Sequence, residues 1–484
     1  MSLSISPGRV AWACLLAGAI GCTGPSGEPA TASASASASA RENVMLIDQG
    51  IDVSIPDLAG KVVATFTLVC SAAPPAGPAD ADPPEATGGS ADTDAGAPSF
   101  EQTKRRLIEV LMTPDDRCRI VEGIGAKADP LAPVRRFRNR WNAMIQRRLP
   151  ANQVFTFDEY TEIDTALEEE FTSFAYHGTA AASTIGHQNP GVRLVLVERK
   201  VGSRETSAQQ FECLRQAEVD DTVALFRDPE VRDAYARAPL SAADQALEEI
   251  ATRYNIGLVN ESFSKAPRAA IERLQGTRGC APIELRAYYA TLGDLERARR
   301  QARAAAGPLR VQSAGNDATQ IDSPADDLDC SLADARHLLV GSYDLDQRRS
   351  VFSNFGSCVD LYAPGEQVVS SYAGGWLFPA RGTSFAAPLA ARFASLQAHD
   401  PSDPAAARDQ LLGSLTADSA IPIRAFPADL FYGTVPASAQ GALLGPATSD
   451  ALPPAGRSVA PPVDLSAVLA PLRQVRQARR GTPP

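Results

Sequence analysis

Six short apolar runs, separated by stretches of helical periodicity, limit the folds open to this chain. VMLIDQGI from Val44, KVVATFTLVC from Lys61 and VRLVLVERKV from Val192 read as buried strands, as do YNIGLVNESF from Tyr254, LRVQSAGN from Leu309 and HLLVGSYD from His337. Helical patterns fall between them, over residues 205–252 and in LRAYYATLGDLERARRQARAA from Leu285. The alternation predicts an α/β fold with a mostly parallel sheet and helices on both faces. In such a sheet chemistry collects at the carboxyl ends of the strands. The chain has 484 residues, 44% of them hydrophobic, so a large core is available and wholesale disorder is excluded. Its formal charge of −11, from 57 acids against 46 bases, argues against a nucleic-acid-binding protein. No apolar run reaches the ~20 residues that a membrane helix needs.

The N-terminal segment predicts export. Arg9 precedes the apolar stretch VAWACLLAGAIG, and Cys22 follows it. This resembles a bacterial lipoprotein signal, residues 1–21, with Cys22 as the lipidated residue, although Ala19 stands where Leu is usual. An ordinary secretory signal cleaved nearby is the alternative. TASASASASA ends at Ala40, so residues 22–41 read as a flexible tether that would hold a soluble domain close to a membrane. Six further cysteines are an even count, which suggests disulfides in an exported protein. Proximity in sequence favours Cys70–Cys118, Cys213–Cys280 and Cys330–Cys358 among the 15 connectivities that six cysteines allow. No C-x-x-C pair occurs and only four histidines are present, which disfavours a zinc site.

The folded domain is expected over residues 42–415, with inserts at about 71–150 and 203–252. Residues 71–98 are rich in Ala, Pro, Gly and Asp and read as a surface loop. From Phe100 to about Leu149 the pattern is helical, with the basic face of VRRFRNRWNAMIQRRL read as solvated. Residues 416–484 form a Pro/Ala-rich extension, expected to be largely disordered after about 445.

Four runs carry the chemistry. MLIDQGID places Asp48 at a strand end, and FAYHGTAAASTIG carries His177 followed by Gly178. ARGTSFAAPLAAR presents Ser384 in G-T-S-x-A-A-P, and LRVQSAGNDA ends a strand at Asn316. A serine hydroxyl is a poor nucleophile at neutral pH; it needs a base within hydrogen-bond reach, and the base needs a carboxylate to fix its tautomer. An Asn amide at a strand end can donate to the oxyanion of a tetrahedral intermediate. The esterase pattern G-x-S-x-G is absent around Ser384.

At these residues the chain resembles the subtilisin-like serine peptidases, whose triad runs in the order Asp, His, Ser. SVFSNFGSCVDLYAPGEQVVSSY, from Ser350, adds a match to the family's F-S-N-x-G…V-D-x-x-A-P-G segment. The resemblance covers roughly Val44 to His399 and implies a three-layer subtilisin-like fold with large inserts between its catalytic motifs. It implies that Asp48 orients, His177 is general base and acid, Ser384 attacks, and Asn316 completes the oxyanion hole. Ser262, Phe263 and Ser264, with Ser313, Ala314 and Gly315, would line the specificity pocket. NIGLVNESFS, from Asn255, would pair with an extended peptide. Asp322, Asp326, Asp327 and Asp329 lie 6 to 13 residues past Asn316, where one of them would favour Arg or Lys before the scissile bond. A solvated acidic loop and calcium ligation are the other readings of that cluster. No catalytic metal or cofactor is implied. The family often binds structural calcium, but no ligand pattern here is sharp enough to name residues.

Gln49 replaces the usual Ser or Thr after the Asp, with its amide expected to donate to Asp48 instead. Phe385 replaces the common Met after the nucleophile and so removes an oxidisable thioether. Asp48 and His177 are 129 residues apart and His177 and Asn316 139, both far beyond the family core. Only 25 residues separate Cys22 from Asp48, too few for a folded propeptide at that place. The expectation is maturation without autoprocessing or use of an internal insert in that role, and the spacing also favours reading this enzyme as a dedicated processing peptidase. The sequence therefore reads as an exported, lipid-anchored serine endopeptidase acting on protein or peptide substrates, with no nucleic-acid partner. Its rivals are a processing peptidase for one exported precursor and an inactive peptide-binding surface lipoprotein.

Overall fold

The computed structural model describes residues 43–70, 98–114, 117–125, 177–187, 189–200, 213–302, 307–332, 334, 336–344, 347–366, 368–372, 376–397, 403–417, 424–425 and 466–480. The signal, Cys22, the tether, the acidic loop and the basic segment after residue 125 lie outside the described residues.

The expected α/β architecture is present. The strands are β1 (Asn43–Asp48), β2 (Val62–Cys70), β3 (Cys118–Glu122), β4 (Arg193–Lys200), β5 (Ile256–Glu261), β6 (Leu309–Ser313), β7 (His337–Tyr343), β8 (Leu361–Pro364), β9 (Val368–Tyr372), β10 (Trp376–Ala380), β11 (Thr416–Ala417) and β12 (Arg424–Ala425). Ten of them form one sheet in the order β11-β12-β8-β7-β6-β5-β1-β4-β2-β3, while β9 and β10 pair separately. From β8 through β2 every pairing is parallel. β1 lies between β4 and β5, where the winding direction reverses, so the carboxyl end of β1 opens onto the switch-point crevice of the sheet.

Burial on both faces explains why Val44 to Ile47 of β1 are all apolar. Val44 and Leu46 face one layer and Met45 and Ile47 the other. On the first face lie α2 (His177–Gly186) and α8 (Thr383–Leu396). Both are alanine-rich: Ala181, Ala182, Ala386, Ala387, Ala390 and Ala391 are all fully buried there. Such short side chains let the two helices approach each other and the sheet closely. On the opposite face α5 (Ala242–Arg253) contributes Ile250.

A second apolar core belongs to the inserts. It is built by α1 (Phe100–Met112), α3 (Gln216–Arg227), α4 (Pro229–Arg237), α6 (Arg268–Thr277) and α7 (Arg286–Ala302). Ser99 caps α1 in a reciprocal box with Gln102, which satisfies two backbone donors at that end. Three disulfides, Cys70–Cys118, Cys213–Cys280 and Cys330–Cys358, match the pairing that sequence proximity favours.

Two expectations need correction. Residues 118–122 are not helical but form β3, which pairs antiparallel with β2 and sets Cys118 opposite Cys70. The C-terminal extension, expected to be largely disordered after about 445, contains α10 (Ser466–Arg480). Val468, Leu472, Val475 and Ala478 recur at helical spacing and are buried in the second core. Tyr288 Oη donates to the Val468 carbonyl at 2.6 Å, and Arg476 Nη2 donates to Glu218 Oε2 at 2.9 Å. That hydrogen bond holds the Glu218 carboxyl below its ordinary range, so its contribution to docking is present near neutrality and is lost as pH falls.

Leu472→Ala should leave a cavity between α10 and the insert helices and destabilise the protein by about 2–4 kcal/mol. The check is the denaturant midpoint; no change would mean that α10 does not seal this core in solution.

Candidate active site

The site is assembled from three element ends. β1 delivers Asp48, which is 1% exposed, at its carboxyl terminus. α2 begins on His177, and α8 carries Ser384 as its second residue. Asp48 Oδ1 accepts a hydrogen bond from His177 Nδ1 at 2.7 Å and one from the Gln49 backbone N–H at 2.6 Å. A carboxylate can only accept here, which assigns the ring proton to Nδ1 and leaves Nε2 as the basic nitrogen of the neutral imidazole. The Gln49 donor is the main-chain N–H, not the side-chain amide expected from the sequence. Burial pulls the His177 pKa down, but the charge and hydrogen bond of Asp48 outweigh it and hold it above the ordinary 6.5.

Gly178 explains the H-G-T pattern. A Cβ there would stand 2.7 Å from the Gln49 carbonyl oxygen and 2.6 Å from Ile51 Cγ1. Without one, the Gly178 N–H donates to that carbonyl at 2.6 Å. Thr179 then ties the next part of the loop: its Oγ1 donates to the Gly50 carbonyl at 2.9 Å and accepts from the Asp52 N–H at 2.7 Å. The helix that starts with His177 is thus bonded directly to the loop that leaves Asp48.

Ser384 follows Gly382 and Thr383. Gly382 has φ +135°, in the region that favours glycine. A Cβ built on it would lie 3.5 Å from Asn316 Nδ2 and 3.7 Å from the Ser384 backbone nitrogen. Both nitrogens thus lie near one point beside Gly382, the locality where an oxyanion would be expected. The Asn316 amide is oriented by Thr383, whose N–H and Oγ1 both donate to Asn316 Oδ1 at 2.9 Å. That arrangement turns Nδ2 away from Thr383. The Phe385 ring lies 5.4 Å from the His177 ring, so this residue packs directly on the imidazole.

Sequence reasoning quoted Thr383 and Asn354 within motifs but gave neither a role. Asn354 is fully buried; its Oδ1 accepts from the N–H groups of Asp317 and Thr319 at 3.0 Å, and its Nδ2 donates to the Ala314 carbonyl at 2.8 Å. It fixes the loop that carries Asn316 from both sides. A buried Asn in a strand-to-loop motif, with no apolar partner of its own, was the available signal.

The six residues expected to line the pocket come from two adjacent segments. Ser313, Ala314 and Gly315 close β6, and Ser264 Oγ lies 2.8 Å from where a Gly315 Cβ would be. Ser262 is buried and accepts from Asn260 Nδ2 at 2.8 Å. Phe263 packs partly against the second sheet face, under the Arg199 guanidinium at 4.6 Å. β5 itself is bonded to β1 and β6, so an extended peptide has no free edge along it and can pair only beyond Glu261.

Most of the Asp cluster is engaged by other groups. Asp322 accepts from the Ser357 N–H at 2.7 Å and from Gln320 Nε2 at 2.6 Å. Asp326 faces Arg268 at 3.4 Å, and Asp329 faces Lys265 at 3.5 Å. Asp327 is wholly buried, and burial pushes its carboxyl well up, toward the neutral form. A pocket for Arg or Lys built on one of these carboxylates is therefore not supported. His337 is buried with Nε2 3.0 Å from Gln312 Oε1, His187 is half-exposed, and His399 lies outside the described residues. Among the described residues no group of three or more His, Cys, Asp or Glu side chains is placed to hold a metal.

Gly178→Ala should push α2 away from the Asp48 loop. We expect kcat/KM to fall by about 100-fold, since ångström-scale misplacement of a base has that effect. An unchanged rate on a folded variant would show that the close approach is not needed.

Comparison with known proteins agrees with this geometry. The model of the subtilase family matches residues 41–428. A subtilisin-like protease of Coccidioides posadasii is 47% identical over 88 residues, which cover 17% of this chain and 22% of that protein. The alkaline serine exoprotease A of Vibrio alginolyticus is 43% identical over 70 residues, 14% of this chain and 13% of the relative. The chain thus spans only about a fifth or less of the length of these two relatives. Among solved structures, a cold-adapted subtilisin-like serine proteinase is 16% identical, with 80% of this chain and 88% of that one covered and a TM-score of 0.35. With most of its length matched by the family model, the chain belongs to the subtilase family of serine peptidases.

Proposed function

We propose that the protein is an active serine endopeptidase that cleaves peptide bonds through an acyl-enzyme on Ser384. The observation that carries this reading is the Asp48–His177 hydrogen bond of 2.7 Å, with Asn316 Nδ2 and the Ser384 backbone nitrogen both close to Gly382. His177 Nε2 takes the Ser384 hydroxyl proton as Oγ bonds to the scissile carbonyl carbon. The oxyanion is held by Asn316 Nδ2 and the Ser384 N–H. His177 then returns the proton to the leaving amine, the C–N bond breaks, and water repeats the sequence to release the acid. Asp48 keeps the tautomer and stabilises the imidazolium.

Export is part of the same proposal. It is supported by three disulfides, which persist in oxidising compartments, and by the apolar segment before Cys22. Lipidation of Cys22 would anchor the enzyme to a membrane surface, since no helix among the described residues is long and apolar enough to cross one. Mass spectrometry of the N-terminal peptide decides this: a lipidated Cys22 supports anchoring, and an unmodified terminus elsewhere removes it.

A fluorophosphonate should label Ser384, and Ser384→Ala should abolish labelling and lower kcat by about 10^6-fold. Asn316→Ala should lower kcat by about 100- to 1000-fold. A folded protein that neither labels nor cleaves peptides would overturn the proposal.

The acid limb of kcat/KM should titrate above 6.5, because His177 must be neutral and its pKa is raised. Folding linkage has a fixed sign too. The Asp48–His177⁺ pair contributes stability in full below 6.5 and loses it as pH rises through the folded value. Asp48→Asn should shift the limb downward and lower kcat by about 10^4-fold. A limb at or below 6.5 in the unsubstituted protein would contradict the assignment.

A further inference from the structure

Asp326 and Asp329 are paired with cations, whereas an arginine three residues before Ser384 is not paired with an acid among the described residues. Arg381 immediately precedes Gly382, the residue close to Asn316 Nδ2 and the Ser384 backbone nitrogen. Its guanidinium carbon lies 5.0 Å from the centre of the Phe352 ring. Its Nε is buried with no hydrogen-bond partner, and among the described residues no carboxylate forms an ion pair with it. A second arginine repeats the arrangement: Arg349 sits 4.0 Å over Phe355 and donates to the Ser353 carbonyl at 2.9 Å, again without an ion pair among the described residues. In a chain of net charge −11, two half-buried cations that have no carboxylate partner among the described residues thus stack on Phe352 and Phe355, which flank Asn354 in sequence.

The loop gives these cations a direction relative to substrate. It runs from Ser313–Gly315, on the pocket side, through Asn316, to Ala318, whose N–H donates to the Phe352 carbonyl at 2.7 Å. The Phe352 backbone is thus tied to the segment that follows Asn316, and Arg381 lies over the Phe352 ring. A peptide whose carbonyl points at Asn316 would run its leaving-group portion along this side. The acid nearest on the loop, Asp317, is engaged elsewhere: Arg273 donates to its carbonyl at 3.3 Å, and the Asn354 amide bonds its carboxyl.

We propose that Arg381, stacked on Phe352, is a specificity-determining residue that selects an acidic side chain on the leaving-group side of the scissile bond. The inference rests on the peptidase reading and adds to it the charge of the preferred substrate. The aromatic face covers one side of the guanidinium and attracts it without neutralising it. An incoming Asp or Glu would supply the planar, bidentate acceptor that the guanidinium lacks.

The test uses the full chain and quenched fluorescent peptides that share one acyl-side sequence. They carry Asp, Ala or Lys at the first or second position after the scissile bond. The unsubstituted protein should prefer Asp over Lys by about tenfold in kcat/KM at low ionic strength, and the ratio should shrink on adding salt. Arg381→Gln should flatten the ratio and Arg381→Glu should invert it. A purely structural arginine would change rates for all three peptides together and leave the ratio in place. A flat profile in the unsubstituted protein overturns the proposal, as does a ratio that survives Arg381→Glu or one that depends on Arg349→Gln instead. Fluorophosphonate labelling of Ser384 separates the two levels: labelling with a flat profile removes the charge preference alone, whereas neither labelling nor cleavage removes both.

Discussion

The Gly178 N–H donates to the Gln49 carbonyl at 2.6 Å, a separation that any Cβ at position 178 would forbid. That contact holds the residue after His177 against the loop that leaves Asp48. Asp48 is fixed independently by its place at the end of a fully buried strand between β4 and β5. The orientation of His177 is therefore a consequence of backbone packing, and the 2.7 Å hydrogen bond to Asp48 is its readout. Thr179 extends the same bonding pattern one residue further, so the histidine is the first of three consecutive residues tied to the Asp48 loop.

The other half of the site obeys the same logic with different parts. α2 and α8 share one face of the sheet and pack through alanines, which puts their first residues side by side. Pro388 inside α8 has no N–H to give to the Ser384 carbonyl four residues earlier, which frees the first turn from the regular ladder. Gly382 at φ +135° supplies the turn into the helix, and Thr383 locks the Asn316 amide with two donors. Ser384, His177 and Asn316 thus belong to a packed framework whose motifs are short because their neighbours have steric or bonding duties.

That density is why the candidate triad and Asn316 were legible in the sequence. Each lies within two residues of a glycine, and His177 and Ser384 also lie within two residues of a threonine that bonds the site loops. The three disulfides were legible for a simpler reason, since their partners are near neighbours in the chain. The strand β3 was not, although the Cys70–Cys118 pairing carried the clue: a disulfide from the end of one strand is well served by a partner strand directly opposite, as the register shows. The helix α10 was masked by the Pro/Ala composition of the region before it, even though Val468, Leu472 and Val475 already had helical spacing. Their meaning depends on α1 and α3, hundreds of residues away, whose exposed apolar faces no local window reveals. The pocket was the least legible part, because the charge state of an aspartate depends on which cation folds against it.

Electrostatics at the cleft follow from that pairing. Lys265 and Arg268 answer the acids of the 322–329 segment, so most of that segment's charge is spent internally. Arg349 and Arg381 are met instead by the faces of Phe355 and Phe352, which attract a cation but leave its charge intact. A half-buried charge held this way acts at short range, because bulk water screens it on only one side and its field toward the cleft passes through protein. With Asn316 and the Ser384 N–H proposed to hold the oxyanion, a guanidinium beyond them would add little that distinguishes one substrate from another. A formal charge on the substrate itself is different. It is present in the ground state and in the transition state, sits on the leaving-group side, and changes sign with a single residue. Discrimination by Arg381 would therefore fall on substrate choice more than on the rate of the chemical step.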